Sequence, residues 1–575
     1  MDEKILNNYL TRIEHFLDVE TGMIYRDYIP LQAEVAVTER PVPFAERLGL
    51  EYHPIHEGEK WGFDWASGWF HLTAEVPESF AGKELCLRLY IGGEALLFDE
   101  EGAPSYGFTG CSVFLSPYAK ERYVLKERHQ AGEKLEFWLE GAGHGMYGCG
   151  VTRPWEPGVV VKPWGDGALT IKRMRLCVFD RELWSMFLDL RTLYNIVKTL
   201  GLQDYRARRF LRVMNEAMEC FNYRPENAAA ARKLMAERAF SCHASSTALT
   251  ACTTGHGHLD VGWLWPVRES IRKAARTFSN QIALMEKYPD YIFGASQAVL
   301  YDMTKKNYPK LYERIKARVK EGRWEVQGGM WVEADTNLTS GESLVRQFLH
   351  GKNFFKDEFG VDVRNLWLPD AFGYSWALPQ IIRKAGCEAF LTQKLCQNSY
   401  TKHPYQTFRW IGVDGTSVLA HFPPENNYNA WCGPEQRIPA QNSYSEADIC
   451  DEFISLIGCG DGGGGPSEEF VENNLRVMDI DSCPKAIFGR ADEFFSRLAR
   501  IEDKLPEWHG ELYFERHRGT YTSQARVKRG NRKVEQALPA VEFLWSALPL
   551  AEYPVAELDE MWKTTLLNQF HDILP

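Results

Sequence analysis

The spacing of hydrophobic positions changes several times along the chain, and each change marks a boundary between kinds of element. Near the amino end Ile5, Leu10, Ile13, Phe16 and Leu17 recur at helical spacing, which predicts an amphipathic helix before a proline-containing lead-in that runs to about residue 50. From Trp61 the period drops to two. Leu85, Leu87, Leu89 and Ile91 alternate with Cys86, Arg88 and Tyr90, and Leu135, Phe137 and Leu139 alternate with Glu136, Trp138 and Glu140. Gly and Pro punctuate these runs, so an antiparallel sandwich ending near residue 180 is expected. Such a module can bind carbohydrate; a structural appendage is the plainer reading and the preferred one. Helical spacing returns at Leu183, Met186, Phe187, Leu190, Leu193, Val197 and Leu200, and again from Phe210 to Ala239. These helices read as a connector.

From about 246 to 500 short apolar runs alternate with helical stretches. The expected strands are 248–253, 291–295, 323–328, 364–368, 388–392, 453–457 and 484–488; the helices between them include 267–288, 308–321, 342–356 and 468–478. That alternation predicts a mostly parallel sheet wrapped by helices, with a β-ribbon inserted at Phe408–Phe422. Beyond 520 the pattern is helical again, and Pro554 is placed to open a last helix. The expected fold class is multidomain α+β: a β-sandwich over 1–180, a helical linker over 181–245, a barrel-like α/β domain over 246–510 and the start of a helical bundle over 511–575.

Composition narrows the function. The net charge is −12 and no run of Lys or Arg offsets it, so a nucleic-acid partner is not expected. No apolar run is long enough for a membrane span, and the first residues lack the apolar core of a signal peptide. The 13 cysteines form no C-x-x-C pair, so free thiols and a cytoplasmic location are expected. The 18 Trp, 25 Tyr and 32 Phe suit sugar stacking, although core packing accounts for most of them.

Four stretches carry chemistry. Thr254-Gly-His-Gly-His258-Leu-Asp260-Val-Gly-Trp263 follows a strand, where open α/β sheets place their ligands. An imidazole and a carboxylate two residues apart make half of a divalent-metal site of the kind zinc accepts. Asp370, in Leu366-Trp-Leu-Pro-Asp370-Ala-Phe372-Gly-Tyr374-Ser, again stands just past a strand, although an Asp there can also be a helix cap. His571 and Asp572 lie late in the expected final helix; His571 alone reads as an ordinary structural histidine. The run Gly458-Cys-Gly-Asp461-Gly-Gly-Gly-Gly465-Pro466 satisfies G-x-G-x-x-G weakly, and also reads as a flexible loop that brings Asp461 to a ligand.

Taken together these motifs resemble those of glycoside hydrolase family 38 α-mannosidases. The likeness rests on His-x-Asp-x-Gly-Trp at 258–263, Asp-x-Phe-Gly-x-Ser at 370–375 and His-Asp at 571–572. Ser296-Gln297, the stretch Gln327–Asp335, the glycine run and Glu515–Thr520 support it. The resemblance implies a retaining exo-α-mannosidase with one zinc ion on His258, Asp260, Asp370 and His571, and Asp370 as nucleophile. It implies Asp461 as general acid/base, with Glu333 and Asp335 in reserve. Trp263, Phe372 and Asp572 match substrate-binding positions, and the substrate implied is a mannose-containing oligosaccharide or mannoside. Tyr374 stands where many members carry His. Homo-oligomerisation is possible in such a family. Family members continue well past the His-Asp motif, so His571 is expected near a frayed end, and a carbohydrate-binding but catalytically incomplete fragment is the runner-up. A nicotinamide-dependent oxidoreductase built on the glycine run, and a metal-dependent deacetylase, are the remaining alternatives.

Overall fold

The computed structural model describes residues 3–19, 21–63, 65–110, 119–143, 151–152, 160–161 and 169–575. Helix Glu3–Val19 buries Ile13 and Phe16 against helices Arg181–Leu200 and Tyr205–Phe221, so it joins the linker rather than the sandwich. Asp180 and Asp204 open those two helices by accepting from Leu183 N and Arg206 N, the usual service of an Asp at a helix start.

The sandwich has a six-stranded antiparallel sheet (53–54, 32–38, 66–75, 134–143, 94–98, 104–108) and a four-stranded one (28–30, 173–178, 85–90, 122–124). Leu85, Leu87 and Leu89 face Phe70, Leu72 and Leu139 between the sheets. Two-residue alternation ordinarily leaves the intervening positions in solvent, but here Cys86 and Glu140 are buried, Arg88, Tyr90 and Trp138 are partly buried, and Glu136 alone is exposed. Cys86 packs among the linker helices instead. On the six-stranded sheet Trp69, Leu96 and Phe98 join the core of the α/β region. Part of each outer face of the sandwich is therefore covered.

The α/β region holds two five-stranded sheets, and no closed barrel is present among the described residues. In the first, strands 324–326, 293–295, 250–255, 452–457 and 485–488 are all parallel. In the second, 365–367, 389–391 and 417–421 are parallel, and the expected ribbon is the antiparallel pair Thr407–Ile411 and Ser417–His421. The expected barrel is thus replaced by two sheets with their carboxyl ends toward one cleft. Helix Val267–Lys287 lies between the first sheet and the sandwich. Its contact with the sandwich is close: a Cβ on Gly107 would meet Arg276 Cβ at 2.6 Å.

The last helix, Val555–Leu567, ends four residues before His571, a correction to its expected place inside that helix. The reason is a change of hydrogen-bond partner. Asp335 N donates to Gln569 O at 2.9 Å, and a bridge pairs Ala334 with Phe570, so this segment trades its helical bonds for pairing with 333–335.

Candidate metal and carbohydrate site

The loop after strand Thr250–Gly255 is tied from several directions. His256 N donates to Ile457 O, Gln297 Nε2 to Leu259 O, and Trp265 Nε1 to Asp260 O. So held, His258 Nε2 lies 2.9 Å from Asp260 Oδ1. His571 Nε2 lies 3.5 Å from the same oxygen and 3.8 Å from Asp370 Oδ2. His258, Asp260 and His571 are all buried, and their donor atoms lie within 4.8 Å of one another. Asp370 borders this group without joining it: its Oδ1 accepts from Lys394 Nζ at 2.7 Å.

The residues fit a divalent ion. His571 Nε2 is buried without a hydrogen-bond partner and faces two carboxylates. Two imidazoles and a carboxylate are a donor set that zinc accepts. His571 is raised to about 9: burial opposes this, but Asp260 and Asp572 outweigh it. His258 is raised well above its usual range by Glu333 and Asp260, again against burial.

Glu333 touches both histidines, a role the sequence did not suggest. Its carbonyl accepts from His571 Nδ1 at 2.7 Å, which leaves Nε2 facing the site. Its Oε2 lies 2.9 Å from His258 Nδ1, a charged contact too bent to count as a hydrogen bond. Its other oxygen accepts from Ser296 Oγ at 2.6 Å. Asp335 is also engaged: its Oδ2 accepts from Leu338 N at 2.6 Å and Asn337 N at 3.2 Å. Glu333 is thus committed to holding the ligands, while Asp335 keeps Oδ1 buried without a partner and is raised by burial to about 6.

The two carboxyls proposed for catalysis differ in state. Burial pushes Asp370 up, but Lys394, His258 and His571 together hold it below the usual range. Asp461 is raised to about 6, first by burial and then by Asp260 and Asp370. Tyr428 donates to Asp461 Oδ1 at 2.7 Å, and Asp260 N donates to Asp461 O at 2.9 Å.

Around these groups Phe372 presents its edge to His571 and His517, with ring centroids 5.7 and 4.6 Å away. Trp263 is 37% exposed and packs edge-on against Trp265. Asp572 is half-buried beside the group, its carboxyl raised by burial and by Asp260. Tyr374 bonds Thr392 Oγ1, donates to Leu368 O, and so supports the Asp370 turn. Lys394 and Tyr428 were missed in the sequence. Lys394 had a signal, since it follows strand Ala389–Leu391 at the end where ligands gather; Tyr428 had none.

His571 is fully buried, not frayed. Besides the bridge to Ala334, Lys528 Nζ donates to Leu574 O at 2.9 Å.

The glycine run is not a phosphate cradle. Gly463, Gly464 and Gly465 have φ of +74°, +98° and +61°, and a Cβ on Gly463 would meet Thr277 Oγ1 at 2.4 Å. Protein side chains fill the space beside it, so the glycines serve close packing and left-handed backbone.

Three known domains match the chain in order. Residues 29–167 match the alpha-mannosidase jelly roll domain, 248–511 the glycosyl hydrolases family 38 N-terminal domain and 515–575 the alpha mannosidase middle domain. Among curated relatives, alpha-mannosidase G of Dictyostelium discoideum is 37% identical over 98% of this chain and 52% of its own length. Alpha-mannosidase 2C1 of Homo sapiens is 37% identical over 94% of this chain and 51% of its own. The alpha-mannosidase of Saccharomyces cerevisiae is 32% identical, over 92% and 50% respectively. The chain thus spans about half the length of the curated relatives it matches.

Proposed function

We propose that this chain, which belongs to glycoside hydrolase family 38, is a retaining exo-α-mannosidase that uses one zinc ion. The observation that carries the reading is the opposed state of two carboxyls at one buried site: Asp370 is held low and Asp461 is raised to about 6. Two acids pushed apart in this way divide the labour of glycoside cleavage. The mannoside specificity comes from the relatives.

His258, Asp260 and His571 would hold the metal, with Asp370, whose Oδ2 lies 3.8 Å from His571 Nε2, beside them as the fourth proposed ligand. A bound zinc ion supplies Lewis-acid polarisation and orients neighbouring sugar hydroxyls. Phe372 and Trp263 pack on the sugar face, and Asp572 accepts from a hydroxyl. Asp461, whose raised proton affinity favours the acid form, gives its proton to the glycosidic oxygen as the bond to the anomeric carbon breaks. Asp370, kept ionised by Lys394, attacks that carbon and forms a covalent mannosyl ester. Asp461 then takes a proton from water, the water oxygen displaces Asp370, and mannose leaves with its configuration retained.

The test is labelling with a fluorosugar inactivator together with metal analysis. An adduct on the peptide carrying Asp370, absent in Asp370→Ala, is expected, and His258→Ala should lower bound zinc. A label that persists on another residue reassigns the nucleophile, and unchanged zinc in the His258 variant removes that ligand.

The half-length match favours a second reading, a carbohydrate-binding but catalytically incomplete unit; metal bound without turnover would select it. Among the described residues no helix is long and apolar enough to cross a membrane. Ten described cysteines are free thiols, which supports the proposed cytoplasmic location. Cys459 is not among these free thiols.

A further inference from the structure

We propose that Lys120, contributed by the N-terminal sandwich, is a positioning residue for Asp461: its ammonium pins the Gly465 carbonyl and so fixes the turn on which Asp461 stands. The inference rests on the reading of Asp461 as the general acid.

The turn is closed by Cys459 N to Gly465 O and Gly465 N to Cys459 O, both 3.1 Å. Asp461 sits inside it with φ +61°, a left-handed conformation rarely adopted by a residue with a side chain. Four consecutive glycines, 462–465, follow it, so the turn has little stiffness of its own. Its shape must come from outside anchors: Asp260 N donates to Asp461 O at 2.9 Å and Gly463 N to His258 O at 3.2 Å, and three side chains hold Gly464 and Gly465. Thr277 Oγ1 accepts from Gly464 N at 2.7 Å and Gln281 Nε2 donates to Gly464 O at 2.8 Å, both from helix Val267–Lys287. The third side chain is Lys120, whose Nζ donates to Gly465 O at 2.6 Å.

Lys120 is built for this contact. It is 4% exposed, and its backbone pairs with Thr109 just past strand Pro104–Phe108. A Cβ on Gly464 would come within 3.1 Å of its ammonium, so glycine and lysine are fitted to each other. Burial draws Lys120 down to about 7 while Glu94 pulls it back, so the charge is held where solvent cannot stabilise it. A lysine that merely covered the surface would not carry that penalty. The sandwich thereby becomes part of the site's scaffold and not an appendage.

The test compares Lys120→Met with the unaltered chain on two mannosides, one with an activated aryl leaving group and one with an alkyl leaving group. Misplacing a general acid penalises the poor leaving group selectively. In Lys120→Met we expect kcat on the alkyl mannoside to fall about 10- to 100-fold more than on the aryl one, with zinc content unchanged. Equal losses on both substrates would overturn the proposal. Asp461→Asn run in parallel separates the two claims. If it too shows no preference, the assignment of Asp461 fails; if it shows one and the lysine variant does not, only Lys120 fails. Should Lys120→Met not fold, Lys120→Leu, which likewise removes the donor, is read by the same ratio. If the unaltered chain turns over neither substrate, hydrogen exchange of segment 458–466 decides: faster exchange in the lysine variant supports the contact, and unchanged exchange overturns it.

Discussion

At the scale of single residues the site pairs buried charges. Lys394 shows the logic. Its ammonium lies 2.7 Å from Asp370 and over the rings of Phe372 and Phe514, so the carboxylate meets a fixed cation where solvent would otherwise be needed. Lys394→Met removes the strongest influence holding Asp370 low. The sign follows directly: the proton affinity of Asp370 rises, and the ionised form is lost at a higher pH. The acidic limb of kcat/KM is therefore expected to move up by about one pH unit or more, read from a pH–rate profile. A limb that stays in place would show that Lys394 does not govern Asp370, the proposed nucleophile. Glu333 illustrates the limits of reading residues singly: as a name in a sequence it was a spare acid, but in space it abuts one histidine with its carboxylate and binds the other with its backbone.

Elements explain why certain glycines cannot be replaced and others need not be kept. Gly458 ends strand Glu452–Ile457 with φ +148°, and a Cβ there would fall 1.9 Å from His256 O. Gly530 sits exposed within helix Ala525–Trp545, with nothing within 4 Å of a built Cβ. Gly458→Ala should cost about 3 kcal/mol or more through clash and backbone strain. Gly530→Ala should add about 0.5–1 kcal/mol, because glycine in a helix loses more backbone freedom than alanine. Thermal unfolding of the two variants should move in opposite directions; a shared direction would contradict this account of the local backbone.

For the molecule as a whole, the contact between sandwich and α/β region is ionic as well as apolar. Glu94 Oε2 accepts from Lys273 Nζ at 2.7 Å and Arg276 Nη2 at 2.8 Å, while Oε1 accepts from Thr109 Oγ1 at 2.6 Å; all four residues are buried. Arg272 reaches Ser67 and Glu140 across the same boundary. A pair of this kind adds little against an apolar substitute, yet losing one partner leaves a buried charge uncompensated. Glu94→Gln is therefore expected to lower stability by about 3–5 kcal/mol, with calorimetry as the check. An unchanged melting temperature would mean that the interface does not depend on this cluster.

The sequence by itself determined the period of each segment and hence nearly every strand and helix of the α/β region. Strands 250–255, 452–457 and 485–488 and helix 267–287 all lie within two residues of where apolar spacing put them. It also marked His258, Asp260 and Asp370, because each follows an apolar run that must be a strand, and ligands gather past strand ends. What it left open are properties of pairs distant in the chain. Whether sheets close into a barrel depends on strand tilt and register, which periodicity does not encode. His571 left its helix because residues 333–335 offered another set of hydrogen-bond partners. Lys394, Tyr428 and Lys120 acquired their roles only when folding removed water and left each beside one particular oxygen. Local pattern settles which surfaces must be buried; only the packed chain settles which charges are then buried together.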